Sequence, residues 1–101
     1  MLFVVFGTDR PGQPQVRQAA RAAHRTHLRQ PGLHPVRVWL GGPTLTEGSS
    51  EMNGTMLVVE AERLEDVRAF LADDPYVRAG VFQALEVRAW HCGLGDPRRS
   101  A

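Results

Sequence analysis

Apolar and polar positions along this chain follow two alternating rhythms. Leu2 to Gly7 is a Val- and Phe-rich run that stops at the turn-forming cluster Thr8-Asp9-Arg10-Pro11-Gly12, which predicts a buried first strand. From Pro14 the period becomes helical. Val16, Ala19, Ala20, Ala23, His27 and Leu28 share one face, Pro14 suits a first turn, and Pro31-Gly32 ends the segment. Beside that face, Arg17, Arg21, His24 and Leu28 form a second stripe, where a helix rim meets solvent or a cleft. Pro35 to Leu40 predicts a second strand, with Val36, Val38 and Leu40 opposite Arg37 and Trp39, ending at Gly41-Gly42-Pro43. Thr44 to Asn53 reads as an exposed loop.

Gly54 to Ala61 predicts a third strand, and Glu62 to Ala72 a second helix whose buried face is Leu64, Val67, Phe70 and Leu71. Asp73-Asp74-Pro75 stops that helix. A residue before proline avoids helical backbone, so Asp74 is expected just beyond the helix with its carboxylate at a constrained corner. Val81 to Trp90 predicts the fourth strand, and His91 to Ala101 a loose tail.

This order is the split βαβ or ferredoxin-like βαββαβ arrangement, an α+β fold with one antiparallel sheet and both helices on one face. It gives one domain over residues 1–90 and a tail over 91–101. Phe, Trp and Val side chains occur on both faces of the strands, so the helix-free face needs cover; two sheets packed back to back, a homodimer, supply it.

Composition narrows the function. A net charge of +1 with no basic block argues against nucleic acid as a partner. Cys92 is the only cysteine, which excludes an internal disulfide and fits a reducing cytoplasm. The apolar start, Met1 to Phe6, is too short for a membrane span or a signal peptide, so no membrane partner is expected.

The candidate chemistry centres on His24 and Asp74. An imidazole titrates near neutrality and an adjacent carboxylate fixes its orientation, which suits general acid–base work. Taken alone, a His on a helix rim is more often solvated or capped, and an Asp before Pro more often a turn residue. Arg17 and Arg21 suit either an anionic ligand group or surface ion pairs, and Tyr76 either a pocket wall or packing under the corner. Asp73 reads as structural. No metal is expected: His27, His34, His91 and Cys92 match no closed zinc spacing. Gly41-Gly42-Pro43 lacks the form of a phosphate loop, and no cofactor is implied.

Several of these residues together resemble the YciI-like (YCII-related) family. The similarity is carried by Arg17, Arg21, His24 and Leu28, by Gly42-Pro43, by Gly54, and above all by Asp74-Pro75-Tyr76-Val77 with Ala79-Gly80-Val81, and it spans nearly the whole chain to Trp90. The resemblance implies a ferredoxin-like fold that dimerises through its sheets in a dimeric α/β-barrel manner. It also implies a pocket in which His24 and Asp74 act together; Arg17, Arg21, Tyr76, Gly42 and Pro43 are the candidate substrate-binding positions. The family includes enzymes of chlorinated-aromatic breakdown, and most members have no assigned reaction. The connection Pro31 to Pro35 looks one residue longer than the family pattern, and the family's basic ending is absent after Trp90.

The reading reached is a small homodimeric protein with a His/Asp pair for proton transfer on a small anionic or phenolic molecule, as in an elimination, isomerisation or hydrolysis by a cofactor-independent enzyme. A non-catalytic small-molecule-binding module and an accessory subunit use the same residues differently. In the first the ligand never changes chemically; in the second only the sheet surface matters.

Overall fold

A computed structural model describes residues 1–99. Its elements are β1 (Leu2–Asp9), α1 (Pro14–Arg29), β2 (Val36–Leu45), β3 (Met52–Ala61), α2 (Leu64–Ala72), the single turn α3 (Pro75–Arg78) and β4 (Phe82–Trp90), followed by a 3-10 turn at Pro97–Arg99. The strands form one antiparallel sheet in the order β2-β3-β1-β4, which is the ferredoxin-like α+β fold.

Register decides which side chains are buried. Phe3 lies opposite Val59 and Val5 opposite Leu57, and alternate residues of a strand share a face. These four pack with Val67, Phe70 and Leu71 of α2 and with Leu28 of α1, so both helices cover the same face. Phe3, Val5, Leu57, Val59, Val67 and Phe70 are each at most 2% exposed. At about 1.5–3 kcal/mol per fully buried apolar side chain, this layer is the main source of stability. The other face carries Val4, Phe6, Met56, Val58, Leu40 and Trp90; on it Phe6 is 45% exposed, Leu40 43% and Trp90 39%.

The inward face of α1 is rotated from the one that periodicity predicts: Val16, Ala20, His27 and Leu28 of that face are half-buried, but its centre moves toward the Arg17–His24 stripe. Ala19 and Ala23 are exposed, whereas Arg17 and His24 are buried and Arg21, His27 and Leu28 half-buried. A methyl group buries little area, so turning alanines outward costs little. Arg17 and His24 are tolerated inside because each meets a carboxylate there.

β2 also runs five residues further than expected, through Gly41-Gly42-Pro43 to Leu45. It is an edge strand, bonded on one side only, and an edge accommodates a proline that a central strand rejects. The exposed loop shrinks accordingly to residues 46–51. Val38 pairs with Val59 and Leu40 with Val58, so Trp39 is an extra residue in a bulge that bends β2 beside α1.

Gly54 lies between Thr8 of β1 and Thr44 of β2. A Cβ there would collide with the Gly7 carbonyl oxygen and come within 2.7 Å of Thr44 Oγ1. Backbone cannot yield as a flexible side chain does. Gly54→Ala is therefore expected to lower stability by about 1–3 kcal/mol, read as a reduced midpoint in urea unfolding; an unchanged midpoint contradicts this packing.

The segment after β4, expected to be loose, turns back onto the sheet. Pro97 is buried, and Arg98 Nη1 lies 3.6 Å from Glu60 Oε2 on the helix-free face. Among the described residues, no helix is long and apolar enough to cross a membrane.

Candidate functional site

A cavity of about 550 Å³ opens between α1 and the edge strand β2. Arg17, Arg21 and His24 line it from the helix, Gly42 and Pro43 from β2, and Tyr76 from α3. The sequence-predicted positions thus converge, with Asp74 standing directly behind His24. His24 Nδ1 lies 2.8 Å from Asp74 Oδ1, and both residues are buried.

The chain builds this pair from local rules. Pro75 forces Asp74 into extended backbone, φ −66° and ψ 128°, and Asp74 then caps α3 by accepting from the Tyr76 backbone N–H at 2.9 Å. One carboxylate oxygen therefore serves both the cap and the imidazole. A carboxylate can only accept, so Nδ1–H donates, and in the neutral imidazole Nε2 is then the nitrogen with the lone pair. No described residue bonds Nε2, and no side-chain nitrogen or oxygen among the described residues is both sealed and unpartnered. Nε2 is thus open to the cavity that His24 lines.

Tyr76 holds the imidazole plane. Its ring stacks on His24 with centroids 3.7 Å apart and planes 12° from parallel, and Phe82 meets Tyr76 edge-on at 6.0 Å. Phe82 reaches this position by lying directly on Gly7, where a Cβ would come within 2.7 Å of its ring.

Arg17 is committed to the protein itself. Its Nε and Nη2 donate to the two carboxylate oxygens of Asp9 at 2.7 and 2.8 Å, and Nη2 also donates to Thr55 Oγ1 at 2.7 Å. The guanidinium carbon lies 4.6 Å from the Tyr76 ring centroid. Burial works against this charge, but the hydrogen bonds and charge of Asp9 outweigh it and hold the Arg17 pKa above its ordinary value. Neither Asp9 nor Thr55 is marked by any local motif; the β1–β4 register shift between Thr8 and Asp9 accompanies the placement of Asp9 beneath α1. Arg25, Arg29, Arg37 and Trp39 also line the cavity. The four-residue repeat from Arg17 to Arg29 was a readable signal for two of them.

The remaining histidines of this region serve packing. His27 Nε2 donates to the Phe70 carbonyl oxygen at 2.8 Å and stacks on that ring, tying α1 to α2. His34 Nε2 donates to Asp73 Oδ2 at 2.7 Å. The His34 bond, and after it Arg78, holds the Asp73 carboxyl below its ordinary pKa. Asp73's contribution to stability is therefore present above its unfolded pKa and is lost as pH falls through the lower folded value.

Known proteins resemble this chain over nearly its full length. The YCII-related domain matches residues 1–91. Protein YciI of Escherichia coli is 31% identical over 94 residues, 87% of this chain and 94% of that protein. A relative from Haemophilus influenzae is 31% identical over 93 residues, with the same two coverages. Among solved structures, 5-chloro-2-hydroxyhydroquinone dehydrochlorinase (TftG) from Burkholderia phenoliruptrix, in complex with 2,5-dihydroxybenzoquinone, is similar with a TM-score of 0.80 and 38% identity, over 92% of this chain and 96% of that one. Sequence, fold and extent agree, and the chain belongs to the YCII-related domain family.

Proposed function

We propose that this protein is an acid–base enzyme acting on a small phenolic or anionic molecule, with His24 as the proton-transfer group and Asp74 as the residue that positions and electrostatically supports it. The carrying observation is the 2.8 Å bond from His24 Nδ1 to Asp74, which leaves Nε2 facing a cavity wide enough for a single substituted ring. Arg21, Tyr76, Gly42 and Pro43 form walls of the same cavity. Arg17 acts mainly by fixing Tyr76 and Asp9.

The likeness to a dehydrochlorinase supports elimination as the reaction class. Loss of HCl from a chlorinated trihydroxybenzene removes two hydroxyl protons, adds one proton at the carbon that carried chlorine, and expels chloride with the C–Cl bonding pair. The product is a hydroxyquinone, and no external oxidant is needed. Nε2 of His24 is suited to take a hydroxyl proton and deliver one to the ring.

The test is chloride release from 5-chloro-2-hydroxyhydroquinone, comparing the wild type with Asp74→Asn. Both bonds made by Asp74 use Oδ1, and an amide oxygen can accept both, so the cap and the imidazole orientation survive while the charge is lost. Stability is expected to stay within about 1 kcal/mol of wild type, since Asn is itself a good cap. Turnover is expected to fall by about 10²-fold or more, since protonated His24 loses its counter-charge. Undiminished turnover in Asp74→Asn, or none in the wild type, defeats this reading.

We infer also that two copies pair through their helix-free sheet faces, on which Phe6, Leu40 and Trp90 are exposed. Analytical ultracentrifugation is expected to give a dimer, and Phe6→Asp to give a monomer; a wild-type monomer refutes the pairing.

A further inference from the structure

Helix α1 carries four arginines, Arg17, Arg21, Arg25 and Arg29, at strict four-residue spacing, and no acidic residue. Like charges one turn apart oppose the helix that bears them, so such a row calls for counter-charge from outside it. Arg17 receives its own from Asp9. Arg21, Arg25 and Arg29 make no ion pair or side-chain hydrogen bond with any described residue, yet all three line the cavity. Arg29, in the last turn, is also favoured by the helix C-terminal carbonyls; Arg21 and Arg25, further back, are not. Arg37, on β2, pairs across the ladder with Glu60 and stacks on Trp39, whose indole N–H donates to Glu60 on the helix-free face, so it stands apart from this row. No Asp or Glu is among the described residues that line the cavity.

We propose that the ligand of this cavity carries, beyond the group that meets His24, at least one further oxyanion, seated on the row Arg21, Arg25 and Arg29. Successive arginines of the row advance by about 6 Å along the helix axis, a step that a ring with a short acidic arm spans. Guanidinium forks bind carboxylate and phosphate oxygens in pairs, and Tyr76 supplies an aromatic wall for the ring. The inference rests on the cavity being the ligand site proposed above, and is independent of whether His24 transfers a proton; 5-chloro-2-hydroxyhydroquinone, which lacks the acidic arm, is on this inference a weaker-bound analogue of the ligand.

Isothermal titration compares 2,5-dihydroxyphenylacetate with its uncharged amide and with 2,5-dihydroxybenzyl phosphate. The two anions are expected to bind about ten- to a hundred-fold more tightly than the amide, by a margin that narrows as salt is raised; which of the two binds more tightly identifies the oxyanion. In Arg25→Gln/Arg29→Gln the margin is expected to fall to about two-fold, because one arginine of the row remains. In His24→Ala it is expected to persist. Equal binding of anions and amide, an unchanged margin in the double variant, or no binding of any probe overturns the proposal. An anion preference without chloride release leaves this inference standing and removes the catalytic one; chloride release with equal binding does the reverse.

Discussion

Replacing His24 with alanine is expected to lower the rate of chloride release from 5-chloro-2-hydroxyhydroquinone by about 10²–10⁴-fold, the range supplied by a positioned proton-transfer group. The expectation follows from how completely the ring is fixed: Asp74 at Nδ1, Tyr76 stacked on its face, and Nε2 left open to the cavity. Removing the ring also leaves a space beside Tyr76 of imidazole size. Added imidazole is therefore expected to restore part of the rate in His24→Ala, and none in a variant damaged elsewhere. Turnover that survives His24→Ala unchanged would show that the pair is structural, and would favour a cavity that binds without converting its ligand.

The second large effect is on stability. Arg17→Met is expected to cost about 2–3 kcal/mol, less than the 3–5 kcal/mol typical of a broken, fully buried ion pair, because the Asp9 side chain keeps 15% exposure and water screens it. The substitution strands both carboxylate oxygens of Asp9 and the Thr55 hydroxyl, all bonded to this one guanidinium. Urea unfolding measures it. Asp9→Asn in the same chain is expected to recover part of the loss, since an amide tolerates the site better than an unpaired carboxylate. A simple sum of two independent losses would mean that Arg17 and Asp9 do not act as a unit. Because Arg17 also sits against Tyr76, weaker ligand binding is expected to accompany the lost stability.

Much of the fold was legible because it rests on local rules. The strand–helix–strand order followed from changes of hydrophobic period, and the corner at Asp74 from a proline that forbids helical backbone in the residue before it. The end of β2 was misjudged for a reason that local rules do not contain. Gly41-Gly42-Pro43 would break a central strand, and whether a strand lies at an edge is a property of the sheet. The single turn α3 was hidden in the same way, because four residues carry too little periodicity to announce a helix.

The candidate site divides along the same line. His24 and Asp74 stood out by residue type and by family resemblance, and Gly42, Pro43, Tyr76 and the arginines by their place in that pattern. What they touch was not readable. Counting apolar residues placed the inward face of α1 part of a turn away from where it lies, because alanine contributes little to burial, whereas Arg17 and His24 go inside only where Asp9, Thr55 and Asp74 receive them. Those partners lie 8, 38 and 50 residues away along the chain.

By itself, then, the sequence determined the order of the four strands and the two longer helices, much of the core and the residue types available for chemistry, since each follows from propensity and periodicity over a few neighbouring positions. Only the tertiary structure decided which face of α1 is inside, that Arg17 is occupied by Asp9 while Arg21, Arg25 and Arg29 find no such partner among the described residues, and that His24 presents Nε2 to a cavity. Those outcomes depend on desolvation and pairing between distant segments, and such energies exist only once the sheet has brought the segments together.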